Sequence, residues 1–211
     1  MTDFRPITLS PAKAPALRLA SWLALACVLA AVACGGDDAY HLRWGDRDVL
    51  PYEGSERLVF ASDDGRRDTI YLAGYEERVV TPQIAGTVAV RQFEEYRLRS
   101  KRFDERVGQT VLQDDAVKVY RQTAGQTLIR FAMNTRGAAL FRRMPTDTFA
   151  ALPDTVFTAG PVTYRDVKVV TKDSLMEGKD AFVADRFYWS EEAGFVGYDR
   201  DSVRWRLVEV E

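Results

Sequence analysis

From Val203 to Leu207 the chain alternates apolar and charged side chains, with Val203, Trp205 and Leu207 set against Arg204 and Arg206. A period of two sends alternate residues to opposite faces of an extended strand, so one face is buried and the other wet. The same short extended pattern recurs. Arg57–Ser62 and Asp68–Ala73 are β-prone runs, and the polar loop Asp63-Asp64-Gly65-Arg66-Arg67 between them is a hairpin signal. Within residues 88–101, Tyr96 and Leu98 point one way and Glu95, Arg97, Arg99 and Lys101 the other. Val117–Arg121 and Thr127–Met133 form another pair, with the turn at residues 123–126. Val162–Thr171 follows Gly160-Pro161. Phe182–Ser190, Phe195–Asp199 and Val203–Val210 read as three final strands, with turns at residues 191–194 and 200–202.

The middle is less regular. Ala138–Met144 reads as two helical turns ended by Pro145. Thr148–Leu152, before Pro153, is too short to assign. No strand alternates with a long helix, which argues against a doubly wound sheet. The expected fold is mainly β: an antiparallel sandwich, meander or open barrel with at most one or two short helices.

The N-terminus is of another kind. An apolar run of 15 residues, Leu19 to Ala33, follows Arg5, Lys13 and Arg18 and leads into Cys34-Gly35-Gly36-Asp37-Asp38. A helix that spans the bilayer core needs about 20 residues, so the run fits a secretory signal better. Ala33 and Cys34 resemble the cleavage site and lipobox of bacterial lipoproteins, with Ala31 where that pattern usually has Leu. The resemblance implies cleavage between Ala33 and Cys34 and acylation of the Cys34 sulfur. The alternatives are an ordinary signal cut after Ala33, leaving a free thiol, and an uncleaved amphiphilic anchor. The expected organisation is a lipoprotein signal peptide over 1–33, a lipidated cysteine and short tether over 34–39, and a single β-rich domain over 40–211. Asp37-Asp38 is similar to the acidic stretch of surface-exposed lipoproteins of the Bacteroidota, and a solvated linker reads equally simply.

A second resemblance lies near the C-terminus. Phe187-Tyr188-Trp189-Ser190, a turn, then Gly194-Phe195-Val196-Gly197-Tyr198 is similar to an aromatic hairpin in many small β-rich bacterial lipoproteins. Leu50-Pro51-Tyr52-Glu53-Gly54 followed by Leu58-Val59-Phe60 also looks like those proteins. These motifs are structural and carry no catalytic residue. The resemblance implies a cell-envelope location, lipid-anchored at the outer membrane.

Composition narrows the chemistry. The chain has 29 Lys+Arg and 31 Asp+Glu. Without residues 1–33 it loses three bases and one acid, for a net charge of −4 over 178 residues. Nucleic-acid binding wants a basic domain, so it is not expected. Cys27 lies in the signal and Cys34 is spent on lipid, so no disulfide, thiolate metal site or cysteine nucleophile is expected. His41 is the sole histidine. A Ser-His-Asp triad or a two-histidine zinc site is therefore not expected either. No cofactor, metal or catalytic residue is assigned. Acids pair at Asp63-Asp64, Asp114-Asp115, Glu191-Glu192 and Asp199/Asp201, mostly beside expected turns. Arg97, Arg99 and Lys101, with Arg102 and Arg106, read as an anionic-lipid face or as a solvated face neutralised by nearby acids. Tyr188, Trp189 and Tyr198 read as a ligand platform or as core, since aromatic rings dominate packing; Trp205 should face inward. The first functional expectation is a cell-envelope lipoprotein with a non-catalytic structural or interaction role. Its partners are the membrane, through the anchor, and an envelope protein. The alternative is a binder of a small apolar or glycan ligand in a β half-barrel. An acid-based glycan hydrolase is more distant.

Overall fold

The computed structural model describes residues 39–82, 91–104, 109–136, 138–172 and 183–211. The strands are β1 (Arg57–Ser62), β2 (Arg67–Val80), β3 (Phe93–Asp104), β4 (Gln109–Thr123), β5 (Gln126–Asn134) and β6 (Ala139–Pro145). A short helix α1 (Thr146–Ala150) follows. Then come β7 (Asp154–Ala159), β8 (Val162–Thr171), β9 (Arg186–Ser190), β10 (Gly194–Arg200) and β11 (Val203–Val210). All eleven lie in one sheet, ordered β6-β5-β4-β3-β2-β1-β11-β10-β9-β8-β7. Every pairing between strands is antiparallel. Two meanders, β1–β6 and β7–β11, are thus joined by the pairing of the first strand with the last. Arg57 and Glu211 close that seam with reciprocal backbone bonds of 2.8 and 3.1 Å.

The sheet curls into a half-barrel. Phe131 of β5 lies 4.9 Å from Phe187 and 5.1 Å from Trp189 of β9, ring centre to ring centre. Those strands are far apart in the sheet order, so only curvature brings them together. Phe195 of β10 and Phe149 of α1 join the same cluster at 5.9 and 5.4 Å from Phe131. Phe149 is the buried residue of α1; it holds the helix against the space between β5 and β9. Leu58, Phe60, Ile70, Leu98, Val117 and Ile129 continue the core along the concave side. Burying an aliphatic or aromatic side chain of this size is worth about 1.5–3 kcal/mol.

The expected mainly-β fold is the one observed, and β1, β8 and β11 have the limits read from the sequence. The 138–144 segment differs: residues 139–145 are strand β6, not helix. Its two buried apolar residues, Leu140 and Met144, are four apart. That interval repeats both one helical turn and two strand periods, so the pattern alone cannot choose. The neighbour chooses: β5 pairs with β6 from Asn134↔Ala139 to Leu128↔Pro145. Thr135 turns the hairpin, its hydroxyl accepting the Ala138 N–H at 2.8 Å. Pro145 then precedes a helix instead of ending one; its ψ of 143° is extended, and the rigid ring suits a helix start.

Candidate functional site

The C-terminal hairpin places the three aromatic candidates. A register shift between Phe195 and Gly197 sets Trp189 opposite Phe195 and Tyr188 opposite Gly197. Cross-strand partners share a face, so Trp189 joins the concave core while Tyr188 lies on the outer side. Tyr198 is paired with Phe187 and Trp205 and shares the concave face. Trp189 and Tyr198 are 0 % exposed and Tyr188 is 8 % exposed. The structure therefore puts Trp189 and Tyr198 on the concave face and Tyr188 on the opposite face of the same hairpin, all three within one continuous buried cluster. Trp189 meets Phe195 edge-on at 4.8 Å. Tyr198 stacks on Trp205 at 5.5 Å and 9°, and its hydroxyl is 2.9 Å from Thr135 Oγ1.

Tyr188 has its own surroundings. Phe157 of β7 stacks on it at 4.0 Å, and the Arg206 guanidinium lies 4.8 Å over Phe157 and 5.2 Å over Tyr188. Gly197 makes room: a Cβ there would sit 2.7 Å from the Trp205 carbonyl oxygen and 3.1 Å from the Phe157 ring. Beneath the stack, Asp199 accepts the Tyr188 hydroxyl at 2.6 Å, Arg206 Nη1 at 2.7 Å and Arg186 Nε at 3.0 Å. Burial pushes the Asp199 carboxyl upward, but the Tyr188 hydroxyl and the two arginines outweigh it and hold its pKa below the usual value. Burial, followed by the hydrogen bond to Asp199 and then its charge, pushes the Tyr188 hydroxyl up to about 12. Sequence reading missed Phe157 and the role of Asp199. The available signal was Gly197 inside a strand, which often marks a close approach.

Of the paired acids, Asp63, Asp64, Asp115, Glu191 and Asp199 are engaged with neighbours. Asp64 pairs with Arg66 Nη2 at 2.6 Å, and its hydrogen bonds to Arg66 and Ser62 bring its carboxyl to about 2. Asp63 accepts the Arg204 N–H. Glu191 and Asp154 flank buried Lys168 at 3.2 and 2.8 Å. Asp201 lies in the β10–β11 turn with φ of 54°, its N–H bonded to Asp185. The outward face of β3 is an ion lattice. Glu95, buried, sits between Arg78 at 3.0 Å and Lys118 at 2.8 Å. Arg97, also buried, sits between Glu76 at 2.6 Å and Asp115 at 3.1 Å. Arg99 shares both acids. Arg97 and Arg99 of the basic face read from the sequence are thus neutralised, by Glu76 of β2 and Asp115 of β4. The side chains of Arg102 and Arg106 lie outside the described residues.

Several hollows remain. One, of about 430 Å³, opens between residues 45–49, α1 and the β9–β10 turn, and is lined by Asp46, Asp48, Asp147, Glu191 and Phe149. A second, of about 380 Å³, is lined by Thr171, Asp185, Arg186, Asp199, Asp201 and Arg204 among others, and a third, of about 360 Å³, by residues 162–166 and Glu192. Among the described residues no group of three or more His, Cys, Asp or Glu side chains is placed to hold a metal. His41 is half-exposed, its Nδ1 3.5 Å from Glu94. Ala33 and Cys34 lie outside the described residues. No helix among those described is long and apolar enough to cross a membrane. No family model, no curated protein and no solved structure matches the chain.

Proposed function

We propose that the protein is a bacterial cell-envelope lipoprotein, held at the outer membrane by an acylated Cys34, whose half-barrel has a non-catalytic structural or interaction role. The observation that carries this is the run Leu19–Ala33 ending at Cys34-Gly35-Gly36 after a basic start. Acylation with two or more chains holds a protein stably, whereas one chain binds only marginally. Five residues separate Cys34 from Tyr40. At no more than about 3.6 Å each they reach roughly 20 Å, which favours partners close to the membrane surface. The engagement of Asp64, Asp115, Glu191 and Asp199 with neighbouring cations supports a structural use of these acids. Cys34→Ser is expected to leave the membrane fraction and to lose the acyl mass. A Cys34→Ser chain that stays membrane-bound at full length contradicts the reading.

One observation favours a second reading, a small-ligand binder: the 430 Å³ hollow with Phe149 in its wall and four carboxylates around it. Its size is that of ordinary ligand pockets. Native mass spectrometry of protein taken from its own envelope separates the two readings. A retained small molecule, lost in Asp147→Ala, supports binding; a retained partner subunit supports assembly.

A further inference from the structure

Trp44 is 102 % exposed, whereas the next most exposed large apolar side chain among the described residues, Val156, is 61 % exposed. The indole stands wholly in water on a turn that is firmly held. The Asp46 and Asp48 N–H groups bond to the Arg43 and Gly45 carbonyls, each at 3.1 Å, and Leu50 N–H bonds to Arg47 at 3.0 Å. Asp46 accepts the Arg43 N–H at 2.7 Å and the Thr127 hydroxyl at 3.0 Å. Arg47 lies 4.9 Å over Tyr96 and pairs with Glu94 at 3.2 Å. The fold thus fixes this turn to β3 and β5 and leaves its largest side chain nothing to pack on. Tryptophan, apolar in body with one polar N–H, favours the boundary between lipid and water.

We infer that Trp44 is a membrane-interface contact, its indole entering the headgroup layer of the bilayer that holds the Cys34 acyl chains. The inference rests on the lipoprotein reading. Nine residues separate Cys34 from Trp44, and a tether of roughly 20 Å at most keeps the start of the domain near that bilayer. Arg43 beside it and Arg91, which lies 5.6 Å over Tyr40, are exposed cations suited to anionic headgroups. The contact would orient the half-barrel, since a tether alone leaves it free to turn.

Trp189 and Trp205 are 0 % and 1 % exposed, so Trp44 is the tryptophan of the described domain open to an external quencher. The mature lipidated protein is reconstituted in vesicles of phosphatidylethanolamine and phosphatidylglycerol, with and without bromine on the acyl chains. The difference spectrum between the wild type and Trp44→Phe isolates Trp44. Blue-shifted Trp44 emission with loss of intensity in brominated vesicles supports the contact. Floating protein whose Trp44 emission is unshifted and unquenched overturns it while leaving the anchor intact, and includes the case of Trp44 covered by a protein. Protein that does not float with vesicles overturns both the contact and the anchor. Trp44 holds no packing in the domain, so Trp44→Phe is expected to fold as the wild type does.

Discussion

Asp199 accepts from Tyr188, Arg186 and Arg206 while almost wholly buried. Its pKa is lower in the folded chain than in the unfolded one, so its contribution is present above about pH 3.9 and is lost as pH falls through the folded value. Tyr188 is shifted the other way, to about 12. Its contribution is full below about pH 10 and is lost as pH rises toward the folded value. The urea midpoint of the wild type is therefore expected to fall at both ends, with a shallower acid limb in Asp199→Asn and a shallower alkaline limb in Tyr188→Phe. Some alkaline limb should persist in Tyr188→Phe, because burial raises the Tyr52 hydroxyl further. Asp199→Ala leaves two cations facing an emptied site and is expected to cost about 3–5 kcal/mol, the range for breaking a buried ion pair. Backbone conformation and space both constrain Gly194, with φ of +72° and a Cβ position that would run into the Tyr52 ring. Tyr52 is anchored there, its hydroxyl oxygen accepting the Phe195 N–H at 2.6 Å. Gly194→Ala is expected to lose about 2–4 kcal/mol from overpacking and left-handed strain together, read as a lower urea midpoint at unchanged slope.

Element by element, the limits of sequence reading follow from what each pattern encodes. Alternation named β11 because its neighbours in the chain carry the whole signal. β8 and β1 were equally plain, being short apolar runs bounded by polar turns. β6 was not, because Leu140 and Met144 satisfy both periods and the deciding partner is another strand. β7 went unassigned since its apolar residues act across the sheet, Phe157 on Tyr188, where no local pattern reports them. The candidate platform was legible as a set of aromatics but not as two opposite faces, because the register shift at Phe195/Gly197 is not written in residue types. α1 is too short to be stable by itself. It is held by Phe149 against Phe131 and Trp189. Phe149→Ala is expected to lose about 3–5 kcal/mol, with the amides of 146–150 losing hydrogen-exchange protection before those of β5.

At the scale of the molecule, the sheet is continuous only through the seam of β1 and β11. Removing residues 203–211 would bare edges on β1 and β10 at once, and bare edges invite intermolecular pairing. The truncated chain is expected to sediment as aggregate; a soluble truncation with a native circular dichroism spectrum would contradict this. The two open edges of the native sheet are partly guarded. Val183 bridges Ala139 at the start of β6, and the β7–β8 turn at Gly160 lies against Leu207 and Val208. The seam also sets a timetable. A ribosome makes β1 near the beginning of the domain and β11 at its very end, so the first strand waits for its partner through the synthesis of everything between. During that interval β1–β6 can pair among themselves but carry an unfinished margin. Whatever escorts the nascent chain must shield that margin until β11 arrives.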